Sequence, residues 1–178
     1  MNIKSQKLIT AAVIGALYAV LTMALSPISY GPLQFRVSEV LCILPYFLPF
    51  TAWGLFFGCV IANLVSAAGI LDVVFGSLAT LCACLCMAKL GEKDSRANKI
   101  LACTMPVLWN GVIVGATLTI AVAGLNPLKD FGAFLIYAGQ VALGELGVMF
   151  VIGLPLMSYL PKEKFFSDFA AKFLDKNK

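Results

Sequence analysis

Residues 139–155 read GQVALGELGVMFVIGLP. Only Gln140 and Glu145 in this stretch carry polar side chains. An apolar run of this length is a membrane helix, and Glu145 falls near its middle. A carboxylate at the centre of a membrane helix costs roughly 2.5–3.5 kcal/mol on insertion scales. Such an acid faces a protein interior or a watery cavity rather than lipid, so Glu145 marks a candidate site. Gln140 precedes it by a little over one turn. Gly139, Gly144, Gly147 and Gly153 surround it with small surfaces.

The rest of the chain agrees with a membrane setting. Of its 178 residues, 61% are hydrophobic and 12% charged. Soluble domains carry about 25% charged residues. We therefore expect one integral membrane domain, residues 1–178. The absence of His excludes His-based metal sites and His general bases. The six Cys, at 42, 59, 82, 84, 86 and 103, all lie in apolar segments. Cys82, Cys84 and Cys86 resemble a metal motif in spacing. Helical neighbours two apart point in nearly opposite directions, so these thiols cannot converge. They read as small packing residues, and neither a metal nor a cofactor is expected.

Hydrophobic runs divide the chain into six helices, approximately 8–25, 36–48, 51–66, 70–90, 100–123 and 133–160. The first follows Lys4 and Lys7 as a signal peptide would. It is long for a signal core, and no small-residue cleavage site follows, so a retained helix is expected. Ala12 and Ala16 on it have the spacing that lets another helix approach closely. That approach serves either packing within the chain or docking of a partner subunit. Residues 26–35, SPISYGPLQF, form a loop in which Tyr30, Gln34 and Phe35 are placed to cover a ligand. The second and third segments are short, which predicts tilt or thin bilayer contact. Phe165, Phe166, Phe169 and Phe173 recur among Lys residues in the tail, 161–178. This pattern predicts an amphipathic helix along the membrane surface.

Basic residues orient the bundle. With six helices and the N-terminus inside, the inner side holds Lys4, Lys7, Lys89, Lys93, Arg96, Lys99, Lys162, Lys164, Lys172, Lys176 and Lys178. The outer side holds Arg36 and Lys129. Eleven against two satisfies the positive-inside rule. The expected fold is thus an all-α, six-transmembrane-helix bundle with both termini cytoplasmic.

On this topology the membrane polar residues gather in the outer half. Glu39, Asn63, Asp72, Asn110, and Gln140 with Glu145, come from five different helices. The inner halves carry mainly Cys, Ser, Thr and apolar residues. This is the pattern of a cavity open outward and closed below. Glu39, Asp72 and Glu145 face one base, Arg36, an excess of negative charge that suits a ligand bearing an amine or several N–H donors. Carboxylates accept hydrogen bonds, and amides both donate and accept. Each residue also has a structural reading. Glu39 can pair with Arg36 three residues back. Asp72 can serve its helix N-terminus, and Asn63 and Asn110 can bond between helices. Trp109 can stack on a flat ligand or simply pack.

Nothing in the chain powers transport. It has no P-loop, no polar path through the inner half, and no visible internal repeat of the kind self-contained transporters show. A capture subunit served by a separate motor fits these features, with the Ala12/Ala16 face as its dock.

FRVSE (35–39), LDVVFGSLAT (71–80), Trp109–Asn110 and GELGVMFVIGLPL (144–156) resemble, in order and placement, the QueT family of substrate-binding (S) components of energy-coupling factor (ECF) transporters. The resemblance covers nearly the whole chain. It implies six helices with the ligand held near the outer face under loops. It also implies an ECF module of one transmembrane coupling protein and two ATPases, met through an AxxxA pattern that Ala12 and Ala16 match. The implied ligand is a 7-deazaguanine queuosine precursor, the 7-aminomethyl form or queuine. Such a ligand has a planar face, a donor edge and, in the aminomethyl form, a cationic arm. Glu145 is then expected at the donor edge with Asn110 and Gln140 nearby, and Glu39 or Asp72 at the amine; the roles of the acids are interchangeable. Two rivals remain. One is an S component for another vitamin or precursor, for which flavin would favour more aromatic and hydroxyl lining. The other is a membrane-embedded enzyme, which lacks a nucleophile with an activating partner.

Overall fold

The computed structural model describes residues 2–31 and 33–174. Lys176 and Lys178, counted above with the inner bases, lie outside the described residues. Helices account for nearly all regular structure, and no strand occurs among the described residues. Four helices have the length and apolarity to cross a membrane: α1 (Ile3–Ala24), α4 (Asp72–Leu90), α5 (Arg96–Ala121) and α6 (Phe131–Lys162). Two shorter apolar helices, α2 (Val37–Phe47) and α3 (Thr51–Asn63), lie between the first two. The tail forms α7 (Lys164–Leu174).

Local signals set several ends. The Asn2 side chain accepts from the Lys4 backbone N–H and starts α1 ahead of both lysines. Ser95 likewise accepts from the Asn98 N–H at 3.0 Å, so α5 begins four residues before its apolar run. Each cap satisfies a donor that the first helical turn leaves orphaned. In α4 and α6 the chain widens into π-helical turns at Asp72–Gly76 and Gly147–Gly153. Such turns are rare and recur at functional sites.

The short α2 is the centre of the bundle. It touches α1, α3, α4, α5 and the π-helical part of α6. Ser38, Glu39, Cys42 and Ile43 along it are buried. Its brevity goes with enclosure by protein on several sides. An enclosed segment can be short and irregular because its neighbours, not lipid, surround it. The short α3 does face outward, through Trp53, Phe57 and Ile61.

Close backbone approach fixes α1 against α3. A Cβ on Gly54 would run into the Ala11 carbonyl, and one on Gly58 into the Gly15 carbonyl. Glycine alone permits this spacing. The buried face of α1 is Ala11, Gly15, Tyr18, Ala19 and Thr22. Ala12 and Ala16 point away from the bundle and are exposed.

The tail forms a helix, as its aromatic spacing predicts. One face of α7 packs back on the α2–α3 connection, where Phe166 meets Phe47 edge-on at 5.4 Å and Phe173 meets Phe50 at 5.1 Å. Leu48 and Ala170 complete this small core. Phe165 remains outside and exposed. The aromatic payload of Phe47 and Phe50 gives α7 a protein surface to bury against.

The basic segments converge at this end. Lys7 lies over the Phe50 ring at 5.7 Å. The Tyr46 hydroxyl donates to Asp94 in the α4–α5 loop at 3.0 Å. The start of α1, the α2–α3 and α4–α5 connections and α7 thus share one end, here called the basic end.

Candidate functional site

Three groups of polar side chains meet inside the bundle, toward the end opposite the basic one. The first is centred on Glu39, fully buried on α2. Its Oε1 accepts from the Tyr18 hydroxyl of α1 and from Thr80 Oγ1 of α4 at 3.3 Å. Its Oε2 accepts from Cys42 at 3.1 Å. Both carboxylate oxygens are satisfied. Beside it the Thr22 and Ser38 hydroxyls share a 2.6 Å hydrogen bond across α1 and α2.

The second group joins α2, α3 and α4. Arg36 and Asp72 form an ion pair at 3.1 Å, with side chains 4% and 0% exposed. Ser66 donates to the same Asp72 oxygen at 2.6 Å. Asn63 donates through Nδ2 to the Asp72 backbone carbonyl at 2.9 Å. Asp72 Oδ1, Asn63 Oδ1 and Arg36 Nε keep no partner among the described residues. The helical pairing of Arg36 with Glu39 does not form. Arg36 turns to α4, because burial demands a partner for Asp72 and Glu39 has its own donors.

The third group joins α5 and α6. Asn110 Nδ2 donates to Glu145 Oε1 at 2.7 Å. Asn110 is 3% and Glu145 2% exposed, so Glu145 faces protein and not lipid. Glu145 Oε2 and Asn110 Oδ1 are buried without partners. Glu145 lies within electrostatic reach of Glu39 and Arg36, which ties the three groups into one field. Three buried carboxylates thus face one guanidinium, and an uncompensated charge is expensive there. The open acceptors among these groups suit a ligand that presents N–H donors.

A cavity of about 600 Å³ opens above these groups. Tyr30, Gln34, Ser66, Tyr137 and Gln140 supply its polar lining, and Leu118, Val122 and Ile136 supply apolar wall. Ser66 connects the cavity to Asp72. The Tyr30 ring lies 5.4 Å from the Arg36 guanidinium carbon, a cation–π arrangement. The Tyr30 hydroxyl also donates to the Ala62 carbonyl, fastening the chain at Tyr30 to α3. Gln34 holds a positive φ of 45°, a strained backbone state for a non-glycine residue. The neighbouring Leu33 carbonyl sits so close to Gly144 that a Cβ there would overlap it. The loop thereby covers the helix at the residue before Glu145, and the Phe35 ring packs beside Gly147.

The candidate residues therefore fall into three places. Glu39, Arg36, Asp72, Asn63, Asn110 and Glu145 are buried together. Tyr30 and Gln140 line the cavity. Trp109 stands apart: it is 37% exposed on α5, on a different face from its neighbour Asn110. The stacking role considered for it has no support in this geometry. Tyr18, Thr22, Ser66, Thr80 and Tyr137 were not singled out from sequence. A Tyr in mid-helix, as at position 18, is the one signal that pointed inward. Hydroxyl side chains commonly bond to their own helix, as Thr117 does to the Ile113 carbonyl, so Thr22 and Thr80 were silent.

These features define a multi-pass helical membrane protein with a buried polar cluster beneath a cavity that Tyr30, Gly31 and Gln34 help to line. The chain belongs to the QueT transporter family, whose profile matches residues 8–162. This is a family of transporters and not of enzymes. Over 80 residues the chain is also 44% identical to the queuosine precursor transporter QueT of Lactococcus lactis subsp. cremoris (strain MG1363). That similarity covers 44% of this chain and 47% of the relative, about half of its length. No solved structure matches the chain.

Proposed function

We propose that this chain is the substrate-capture component of an ECF-type importer and binds a 7-deazaguanine queuosine precursor from outside the cell. The observation that carries the reading is the buried Asn110–Glu145 pair with one open oxygen on each side chain. A deazaguanine presents adjacent N–H donors that a carboxylate accepts, and a carbonyl that an amide N–H can meet. The aminomethyl arm is cationic and suits a second acid. Asp72 keeps an open oxygen, whereas both oxygens of Glu39 are engaged, which favours Asp72 for the arm. Tyr30 and Gln140 at the cavity receive the ligand before it reaches the acids.

The membrane arrangement in this reading is a single unit with six crossings. Both termini are cytoplasmic, because the basic end gathers the lysines. The partner is an ECF module of a transmembrane coupling protein and two ATPases. The exposed Ala12/Ala16 face of α1 is its docking surface, in line with its outward orientation.

Calorimetry on the purified chain tests the ligand class. Binding of 7-aminomethyl-7-deazaguanine or queuine, with none of thiamine or riboflavin, is the expected result. Binding of a vitamin in place of the deazaguanines would move the chain to a different S component.

A further inference from the structure

A second cavity, of about 500 Å³, lies at the basic end between the start of α5 and the end of α6. Arg96, Lys99 and Lys162 form its rim, and Phe150, Leu154 and Pro155 lie along its wall. No acid lines it. Lys99 reaches out to Asp94 at 3.1 Å, and that carboxylate is 58% exposed beside the cavity. Arg96 and Lys162 have no acidic partner among the described residues. Ser158 spends its hydroxyl on the Leu154 carbonyl at 3.0 Å. The N-terminus of the 26-residue α5 opens at the rim, and its dipole adds to the positive field.

We propose that this cleft is a binding site for an anionic phospholipid. Both flanking helices are of membrane-spanning length, so their ends fall where headgroups lie. The cations match a headgroup phosphate, and the apolar wall continues from the rim along the acyl chains. Basic pockets between transmembrane helices recognise acidic lipids in this manner. A soluble anion has no use for the apolar wall. The site shares no residue with the cavity near Tyr30 and Gln140 and stands whatever ligand that end of the bundle takes.

The test uses the full chain in nanodiscs of mixed phosphatidylglycerol and phosphatidylcholine, with retained lipids counted by native mass spectrometry. The chain is expected to retain phosphatidylglycerol preferentially. Arg96→Gln with Lys162→Gln should reduce that preference at least about tenfold, and Lys162→Gln alone about fivefold. Lys162 is exposed, so the single variant keeps its fold and guards against loss of the double one. Lys129→Gln, outside this cavity, should leave the preference unchanged. Equal retention of both lipids, or an unaltered preference in the double variant, overturns the proposal. So does displacement of the lipid by millimolar glycerol 3-phosphate, which would mark a site for free anions. Retention of an acidic protein segment in place of lipid would overturn it as well.

Discussion

Asn110 on α5 and Glu145 on α6 are joined by one 2.7 Å hydrogen bond, and the Asn110 amide oxygen and the second Glu145 oxygen are both buried without a partner. A pair placed only to hold two helices together would leave fewer acceptors open. Burying an unsatisfied acceptor costs about 1–3 kcal/mol, more when it is charged. Ligand donors would satisfy both atoms.

Glu145→Gln separates ligand binding from structure. Glutamine keeps an oxygen for Asn110 but replaces the second acceptor with a donor. Deazaguanine affinity should fall by about 10- to 100-fold, as expected for a lost hydrogen bond to a charged group. The thermal midpoint should stay within a few degrees. Calorimetry and a melting curve on the same preparation check both, and unaltered affinity would remove Glu145 from the site.

Arg36→Met leaves Asp72 buried without its cation. Breaking a buried pair from one side costs about 3–5 kcal/mol. The variant should melt well below the parent in detergent. Adding Asp72→Leu should recover much of the loss, because the uncompensated charge goes with it. If the single variant melts with the parent, the ion pair does not hold α2 to α4.

The two small-residue faces of α1 should respond in opposite ways. Gly54→Ile places a branched side chain into the Ala11 backbone and should destabilise the fold severely. Ala12→Trp with Ala16→Trp adds bulk to an exposed face. The double variant should bind ligand like the parent but fail to support uptake in cells carrying the ECF module. Normal uptake would exclude this face as the dock.

Trp109→Ala tests the outward orientation of that ring. Removing a partly exposed ring that does not line the cavity should change ligand affinity by no more than about twofold. A loss of tenfold or more would place the indole against the ligand after all.

Much of the architecture was legible in the chain. The helices came from the lengths of apolar runs, and α1, α4, α5 and α6 follow them to within a few residues. Their shifted ends trace to single capping residues, Asn2 and Ser95. The candidate acids were recognisable because charge is costly in an apolar run, a property of each residue's own surroundings. The motifs at 35–39, 71–80 and 144–156 pointed to the family that residues 8–162 match.

Sequence by itself determined that this is a helical membrane protein, where its helices run, and that Glu39, Asp72 and Glu145 needed shelter from lipid. Tertiary structure decided how that shelter is built. It enclosed α2 at the centre, gave Arg36 to Asp72 and not to Glu39, and turned Asn110 inward while leaving Trp109 outside. It also put Ala11 and Gly15 against α3 and left Ala12 and Ala16 free. The reason is rotational. Hydropathy records that a helix lies in the membrane, but the direction in which each side chain points depends on which backbones can touch, as Gly54 and Gly58 do on α1.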